Sequence, residues 1–418
     1  MADVTLAAPM LTTSDGRPLK AALAMAQRRA KWRAFFLVLP LLAFVVLTFI
    51  IPILKMLERS VYHEGFSSTA PGLVAWFAAN PPGADIPEAA YAALVSDLQQ
   101  MQKDKTAGLA GARINYTVPG TISVFKAAAR AAETMQPPYK AALIAASPFW
   151  GQAETWVAMR NAASPWTSDF YMVSTDLKRT ADNGLMRVEP EQRIYIYLFV
   201  KTFVLSLVIT LMCLLLAFPI AHLLAVLPMA KANLLMILVL LPFWTSLLVR
   251  TSSWIALLQE QGVINDLMVW LGVLGNDGRI RMIYNQTGTL IVMTHILLPF
   301  MVLPLYSVMK VIPPSYARAA RSLGATSWTT FRRIYLPQTI PGIAAGSLLV
   351  FILAVGYYIT PALVGGADGQ LISNLISFHM NKANWSMAAA LAAILLAAVL
   401  ILYWLYDQLI GIDRLKLG

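Results

Sequence analysis

Six apolar runs limit what this chain can become. A membrane-spanning helix needs roughly 20 apolar residues, because about 1.5 Å per residue must cover about 30 Å of hydrocarbon. The stretches 34–54, 197–223, 234–257, 289–308, 340–363 and 387–409 meet that length. Only 13% of the 418 residues are charged, against about 25% in a soluble chain, and the mean hydropathy is +0.64. The fold class expected is therefore an all-α integral membrane protein with six transmembrane helices.

The net charge of +11 would suit a nucleic-acid binder, but its placement argues for a membrane instead. The excess falls in an N-terminal tail (Lys20, Arg28, Arg29, Lys31, Arg33) and in the loop 310–341. Both flank apolar runs, where Lys and Arg mark the cytoplasmic side. Counting crossings from an inside N-terminus puts that loop inside after the fourth span and the C-terminus inside after the sixth. Arg414 and Lys416 agree with this count. About thirty residues precede the first apolar run, which lacks an Ala-x-Ala exit and is long enough to span, so it is expected to stay in the bilayer. Cys213 stands alone in an apolar run and can form neither an intramolecular disulfide nor a multi-thiolate site.

The chain then divides into a cytoplasmic tail 1–33, a first span 34–54, an outer insertion 55–193, a core 194–410 and a tail 411–418. The insertion, outside the membrane and periplasmic in a Gram-negative cell, has nearly balanced charge. Its amphipathic helical patterns are 87–103, 121–135 and 139–159, punctuated by Pro81-Pro82, Pro137-Pro138 and Ser147-Pro148. At about 140 residues it can bury a small core, with Trp150, Trp156 and Trp166 as core or interface residues and an outer lid or docking surface as its role.

Several core residues could carry function. In the third run, Pro242 with Thr245 and Ser246 suits a bent membrane helix. Arg250 follows, about 12 Å from that helix's outer end, as a snorkelling anchor or intra-bundle ion pair, or as a residue lining the pathway or its outer gate. Trp244, Trp254, Tyr357 and Tyr358 are aromatic candidates for the pathway, with an outer aromatic belt as the other reading for Tyr357 and Tyr358. His295 suits a bundle hydrogen bond or a proton relay. Gly342 and Gly346 form a small-xxx-small face for close helix approach.

The loop 310–341 contains Lys310, Arg318, Arg321, Arg332 and Arg333 and no carboxylate. Ala319-Ala320 favour a short helix, and Gly324 permits a sharp turn after it. A second short helix is expected from Ser327, with that serine as N-cap, until Pro337 and Pro341 interrupt it. Such a knob is a docking element, not a catalytic one. No HExxH, histidine cluster or intramembrane carboxylate pair points to an enzyme or an ion-driven transporter, and no Gly-Lys dipeptide allows a P-loop.

Ala319-Ala320, Gly324 and the later Ile334, Leu336 and Pro337 resemble the EAA loop of bacterial ABC-importer permeases, with Arg318 where that family has glutamate. The stretches 241–254 and 356–366, with Ile372-Ser373-Asn374 and Asn384-Trp385, resemble the spermidine/putrescine branch. The resemblance implies the type I permease fold, with ATPase coupling through Arg318, Ala319, Ala320, Arg321, Gly324, Ile334, Leu336 and Pro337. It further implies a second permease subunit in a heterodimer, two ATPase subunits that hold ATP and Mg, and a periplasmic solute-binding protein. The chain itself is expected to hold no cofactor, metal or catalytic residue, and to sit in the bacterial inner membrane among lipid. Related permeases for opines, aminophosphonates, iron or sulfate keep other solutes open.

Overall fold

The structure is a computed structural model describing residues 19–81, 83, 85–180 and 184–410. Residues 1–18 of the tail, Pro82, and the tail 411–418 with Arg414 and Lys416 lie outside them. Residues up to Glu58 form one compact unit and Arg59 onward another. In the first unit, α1 (Leu19–Val45) runs through a π turn (Val46–Ile50) into α2 (Ile51–Val61). Together they give an apolar helix long enough to span.

The insertion builds its own helical core. Its helices are α3 (Pro71–Ala79), α4 (Glu88–Asp104), α5 (Ala107–Asn115), α6 (Thr121–Ala132), α7 (Tyr139–Ala146), α8 (Ala153–Ala162) and α9 (Asp169–Val173). Leu73, Leu94, Leu98, Ile114, Phe125, Leu143 and Trp150 are fully buried among them, each such side chain contributing about 1.5–3 kcal/mol. The Trp150 carbonyl accepts from both Tyr91 Oη and Trp156 Nε1 at 2.8 Å. The Asp97 carboxylate caps α3, accepting from Gly72 N at 3.0 Å and Leu73 N at 2.7 Å. The pattern 139–159 breaks at the expected punctuation, Ser147-Pro148, because the residue before a proline is driven to extended backbone. Trp150 and Trp156 join the core, while Trp166 is exposed and packs edge-on with Tyr62. A small antiparallel pair, β1 (Leu177–Arg179) and β2 (Leu185–Arg187), follows α9.

From here the chain enters the bundle through α10 (Tyr195–Val226). Asp176 closes the junction: its carboxylate accepts from Ile194 N and Tyr195 N at 3.2 Å and from Ile196 N at 2.8 Å. The negative charge sits on the helix's positive end and satisfies N–H groups that have no intrahelical partner. Next come α11 (Met229–Leu240), a 3₁₀ turn (Leu241–Trp244), α12 (Leu247–Leu258) and α13 (Val263–Trp270). After α14 (Gln286–Val311) come α15 (Pro314–Ser322), α16 (Ser327–Thr330), a π turn (Phe331–Tyr335) and α17 (Leu336–Gly356). The chain ends with α18 (Ile359–Val364), α19 (Ile372–Asn381) and α20 (Trp385–Ile410).

The expected spans are met by five unbroken apolar helices plus one bent pair. Helices α10, α14 and α17 pack together around Ile209, Met293, Leu297, Met301 and Leu305. The small-xxx-small face does what its spacing suggests. A Cβ on Gly342 would meet Pro304 O and Val308 Cβ at 3.1 Å, and one on Gly346 would meet Met301 Sδ at 2.7 Å. At the insertion end, Phe170 of α9 packs with Met387 and Leu391 of α20 and with Tyr195 and Phe199 of α10.

Three helix boundaries correct the sequence reading. The third run is not one helix: it bends by 100° between α11 and α12. Pro242 has no N–H to give and crowds the preceding turn, and Thr245 and Ser246 are extended. The fifth run does not continue to 363, since α17 stops at Gly356 and α18 starts afresh at Ile359. Pro337 and Pro341, by contrast, interrupt nothing. Ser327–Gly356 is one continuous helix of 30 residues, because the π turn just before Pro337 widens the helix where its ring would strike a carbonyl. Its N-cap is Thr326, not Ser327: Thr326 Oγ1 accepts from Thr329 N at 3.2 Å.

Candidate functional site

Two clusters carry the candidate residues. The first is the knob formed by α15, its turn and the start of the long helix. Helix α15 ends in a Schellman motif: Ala325 N donates to Ala320 O and Gly324 N to Arg321 O, both at 3.0 Å. Gly324 holds φ +86, and a Cβ there would touch nothing within 4 Å. Its requirement is thus conformational, not spatial. Arg318, Ala319, Arg321 and Pro337 are exposed, while Ala320, Ile334 and Leu336 are half-buried.

That base is tied to the bundle. Trp328, Phe331 and Tyr335 stack in series along the helix. Phe331 meets Phe218 of α10 edge-on at 5.9 Å, and Tyr335 Oη shares a 2.9 Å hydrogen bond with His222 Nδ1. Lys310 Nζ donates to Ala225 O at 3.2 Å, satisfying a carbonyl at the end of α10. His222 lies 26 residues beyond Ile196, hence about 39 Å along the helix axis. The knob and the insertion therefore grip opposite ends of α10. Neither Phe218 nor His222 stood out in the sequence, because an aromatic or histidine in an apolar run has no local signature of a distant partner.

The second cluster gathers at the bend. Arg250 folds back over the break: Nη2 donates to Pro242 O and to Thr245 O (3.0 Å), and Nε to Thr245 Oγ1 (3.4 Å). These groups lost their helical partners at the bend, so the guanidinium replaces the missing backbone donors. One turn on, Trp254 Nε1 donates to His295 Nδ1 of α14 at 3.1 Å, with the rings 5.1 Å apart. Arg250 is close enough to His295 and Tyr357 to act on both electrostatically. A crevice of about 330 Å³, lined by Pro242, His295, Leu298 and Pro299 among others, opens beside the break.

The structure thus brings Arg250, Trp254 and Tyr357 together with His295, and leaves out the other two aromatic candidates. Trp244 is 69% exposed on the 3₁₀ turn, and Tyr358 is exposed as well. The second break is clasped in turn: Ser373 Oγ donates to Tyr357 O at 2.5 Å and Asn374 Nδ2 to Tyr358 O at 2.8 Å. These are the Ser-Asn residues that accompany the 356–366 stretch in the sequence.

A third polar group lies in the insertion. Arg113 Nη2 meets Asp169 Oδ2 at 2.7 Å, and Arg179 Nε meets Asp169 Oδ1 at 3.0 Å. Burial pushes the Asp169 carboxyl up, but the Arg113 charge and the hydrogen bonds from Arg113, Arg179 and Thr167 outweigh it and hold the group below the usual carboxylate range. No group of three or more metal-binding side chains occurs among the described residues.

Residues 193–410, just over half of the chain, match the family described as binding-protein-dependent transport system inner membrane component. The chain belongs to this family. It is a permease subunit of an ABC transporter and a multi-pass inner-membrane protein. The spermidine/putrescine transport system permease protein PotB of Escherichia coli K12 is 37% identical over 236 residues, covering 56% of this chain and 84% of that protein. PotB of Salmonella typhimurium LT2 is equally similar, with 80% of its length covered. The inner membrane ABC transporter permease protein YdcU of E. coli K12 is 34% identical over 218 residues, covering 50% of this chain and 69% of that protein. Among solved structures, a chain of the bacterial alginate ABC transporter, in complex with an alginate pentasaccharide-bound periplasmic protein, gives a TM-score of 0.45. Its identity is 21%, over 55% of this chain and 82% of that one. The family match begins at residue 193, so the insertion lies outside it.

Proposed function

We propose that this permease imports a polyamine such as spermidine or putrescine, handed over by a periplasmic binding protein and driven by ATP. The observation that carries the substrate class is the 37% identity to PotB over 236 residues, 84% of that protein's length. The bend cluster suits an organic cation, since Trp254 and Tyr357 offer aromatic faces for cation–π contact. Arg250 would repel a cation if its charge faced the path, but its donors are turned onto the carbonyls of Pro242 and Thr245.

In this reading the N- and C-termini and the loop 310–341 face the cytoplasm, and the insertion 55–193 stands in the periplasm above the core. A second permease subunit completes the pathway, and two ATPase subunits carry ATP and Mg. Closure of the ATPase pair pulls the knob. The long helix α17, seated on α14 through Gly342 and Gly346, moves the bundle with it. The chain supplies the lever, the path and the docking surface, while ATP hydrolysis belongs to the partners.

Uptake of radiolabelled spermidine and putrescine into proteoliposomes containing the full transporter tests the substrate. The wild type should accumulate label, and Trp254→Ala or Tyr357→Ala should weaken uptake while the subunits still assemble. Failure of both polyamines to compete with a different transported solute would overturn the substrate class.

A further inference from the structure

The knob carries charge of one sign and exposed apolar surface. Arg318, Arg321, Arg332 and Arg333 are all exposed, and none forms a salt bridge among the described residues. Arg318 and Arg321 are three residues apart, so they share one face of α15. At the tip, Leu323 is 88% exposed and Trp328 is 67% exposed. Two such side chains beside guanidinium groups that have no carboxylate partner among the described residues resemble the anchors of a protein interface, in which aromatic and arginine residues dominate.

A lipid surface could also take up basic residues, but helix length argues against it. The helix Ser327–Gly356 has 30 residues, about 45 Å at ~1.5 Å per residue. The hydrocarbon is about 30 Å thick and the whole bilayer about 40–45 Å. With its far end at the membrane's opposite interface, this helix carries Trp328, and the turn with Leu323 just before it, to the outer limit of the headgroups. There they face water or a soluble partner, not acyl chains.

We infer that Arg318 and Arg321, with Leu323 and Trp328, form a charge-selective docking surface, and that the ATPase subunit it fits has an acidic cleft around an apolar floor. This rests on the proposed ATP-driven reading and adds the chemistry of the partner. An ATPase whose cleft is basic would meet like charge at Arg318 and Arg321 and be rejected. The basic knob thus acts as a partner filter, admitting ATPases with an acidic cleft and excluding those with a basic one.

The test uses the full permease in nanodiscs with the ATPase subunit that copurifies with it. Affinity is measured at low and moderate salt for the wild type, Arg318→Glu and Arg318→Gln, with thermal melts as a folding control. Binding of each form to vesicles of phosphatidylglycerol is measured in parallel. The inference expects wild-type affinity to fall at least tenfold as salt rises. It also expects Arg318→Glu to lose more affinity than Arg318→Gln, and an acid-to-arginine change in the ATPase cleft to restore it. If the ATPase binds but is indifferent to salt and to Arg318→Glu, the charge filter is wrong while the ATP-driven reading stands. If Arg318→Glu weakens vesicle binding alone, the surface is a lipid contact and the inference falls. If no ATPase subunit binds the wild type, the filter and the reading beneath it fail together.

Discussion

Replacing Arg250 with methionine should leave the permease folded but release the bend between α11 and α12. Two opposing terms set the balance. A central arginine costs about 2.5–3.5 kcal/mol to place in a membrane helix, and methionine removes that cost. Against it, the Thr245 carbonyl loses its guanidinium donor, at about 1–3 kcal/mol, while the Pro242 carbonyl keeps only the Thr245 hydroxyl at 3.0 Å. The terms are of similar size, so expression should change by no more than about twofold, while the bend loses what holds its angle. Spin labels on cysteines introduced at Met229 and Ala256, both exposed, read that angle directly. With the 100° bend, arms of about 24 and 14 Å place the two sites about 26 Å apart, whereas a straight helix would place them about 41 Å apart. The wild type should give a narrow distribution at the short distance. Arg250→Met should give a broad one extending toward the long distance, with uptake reduced about tenfold or more. Arg250→Lys should fall between, since a single ammonium lacks the planar fork that reaches both carbonyls. A narrow short distance and normal uptake in Arg250→Met would refute the idea that the guanidinium holds the bend.

The remaining predictions concern the lever and the insertion. Gly342→Leu should cost about 1–3 kcal/mol through overpacking, because its Cβ already meets Pro304 O and Leu305 Cα at 3.1–3.2 Å. It should lower both the Tm and uptake, and unchanged values would show that α17 and α14 do not rely on this contact. Gly324→Ala should cost about 1–2 kcal/mol from left-handed backbone alone, given φ +86 and open space around it. Faster proteolysis confined to the 314–335 segment would report it. The depressed Asp169 pKa predicts stability that is full above the unfolded value of about 3.9 and lost as pH falls below it toward the folded value. Acid unfolding of the insertion, followed by tryptophan fluorescence, should lose that component in Asp169→Asn. The same variant should be less stable at neutral pH, since Arg113 is then buried without its carboxylate.

Much of this architecture was legible before any coordinates. Apolar runs of the right length mark the spans, because a bilayer leaves backbone polar groups no solvent and forces helix. Gly324 after Ala319-Ala320 marks the turn, and the spacing of Gly342 and Gly346 marks a face for close helix approach, since each signal is carried by residues near one another in sequence. The break at Thr245 and Ser246 was only half legible. Pro242 and its hydroxyl neighbours signal a bend, but hydropathy runs unbroken across 234–257 and cannot show that the run becomes two helices. The continuity of Ser327–Gly356 was hidden for the opposite reason, as prolines that normally end a helix are accommodated by a π turn. Pairings across long stretches were not legible at all. His222 and Tyr335 are 113 residues apart, and Trp254 and His295 are 41 apart. Each partner alone looks like an ordinary residue of an apolar helix.

The central claim is that this bundle moves solute only when a nucleotide-driven neighbour works the knob. Proteoliposomes holding the permease pair, the ATPase subunits and the binding protein test it with one comparison: labelled solute taken up with ATP inside, against the same vesicles with a non-hydrolysable analogue. The account predicts accumulation with ATP and none with the analogue. Equal uptake in both, or uptake by the permease without its ATPase, would contradict it.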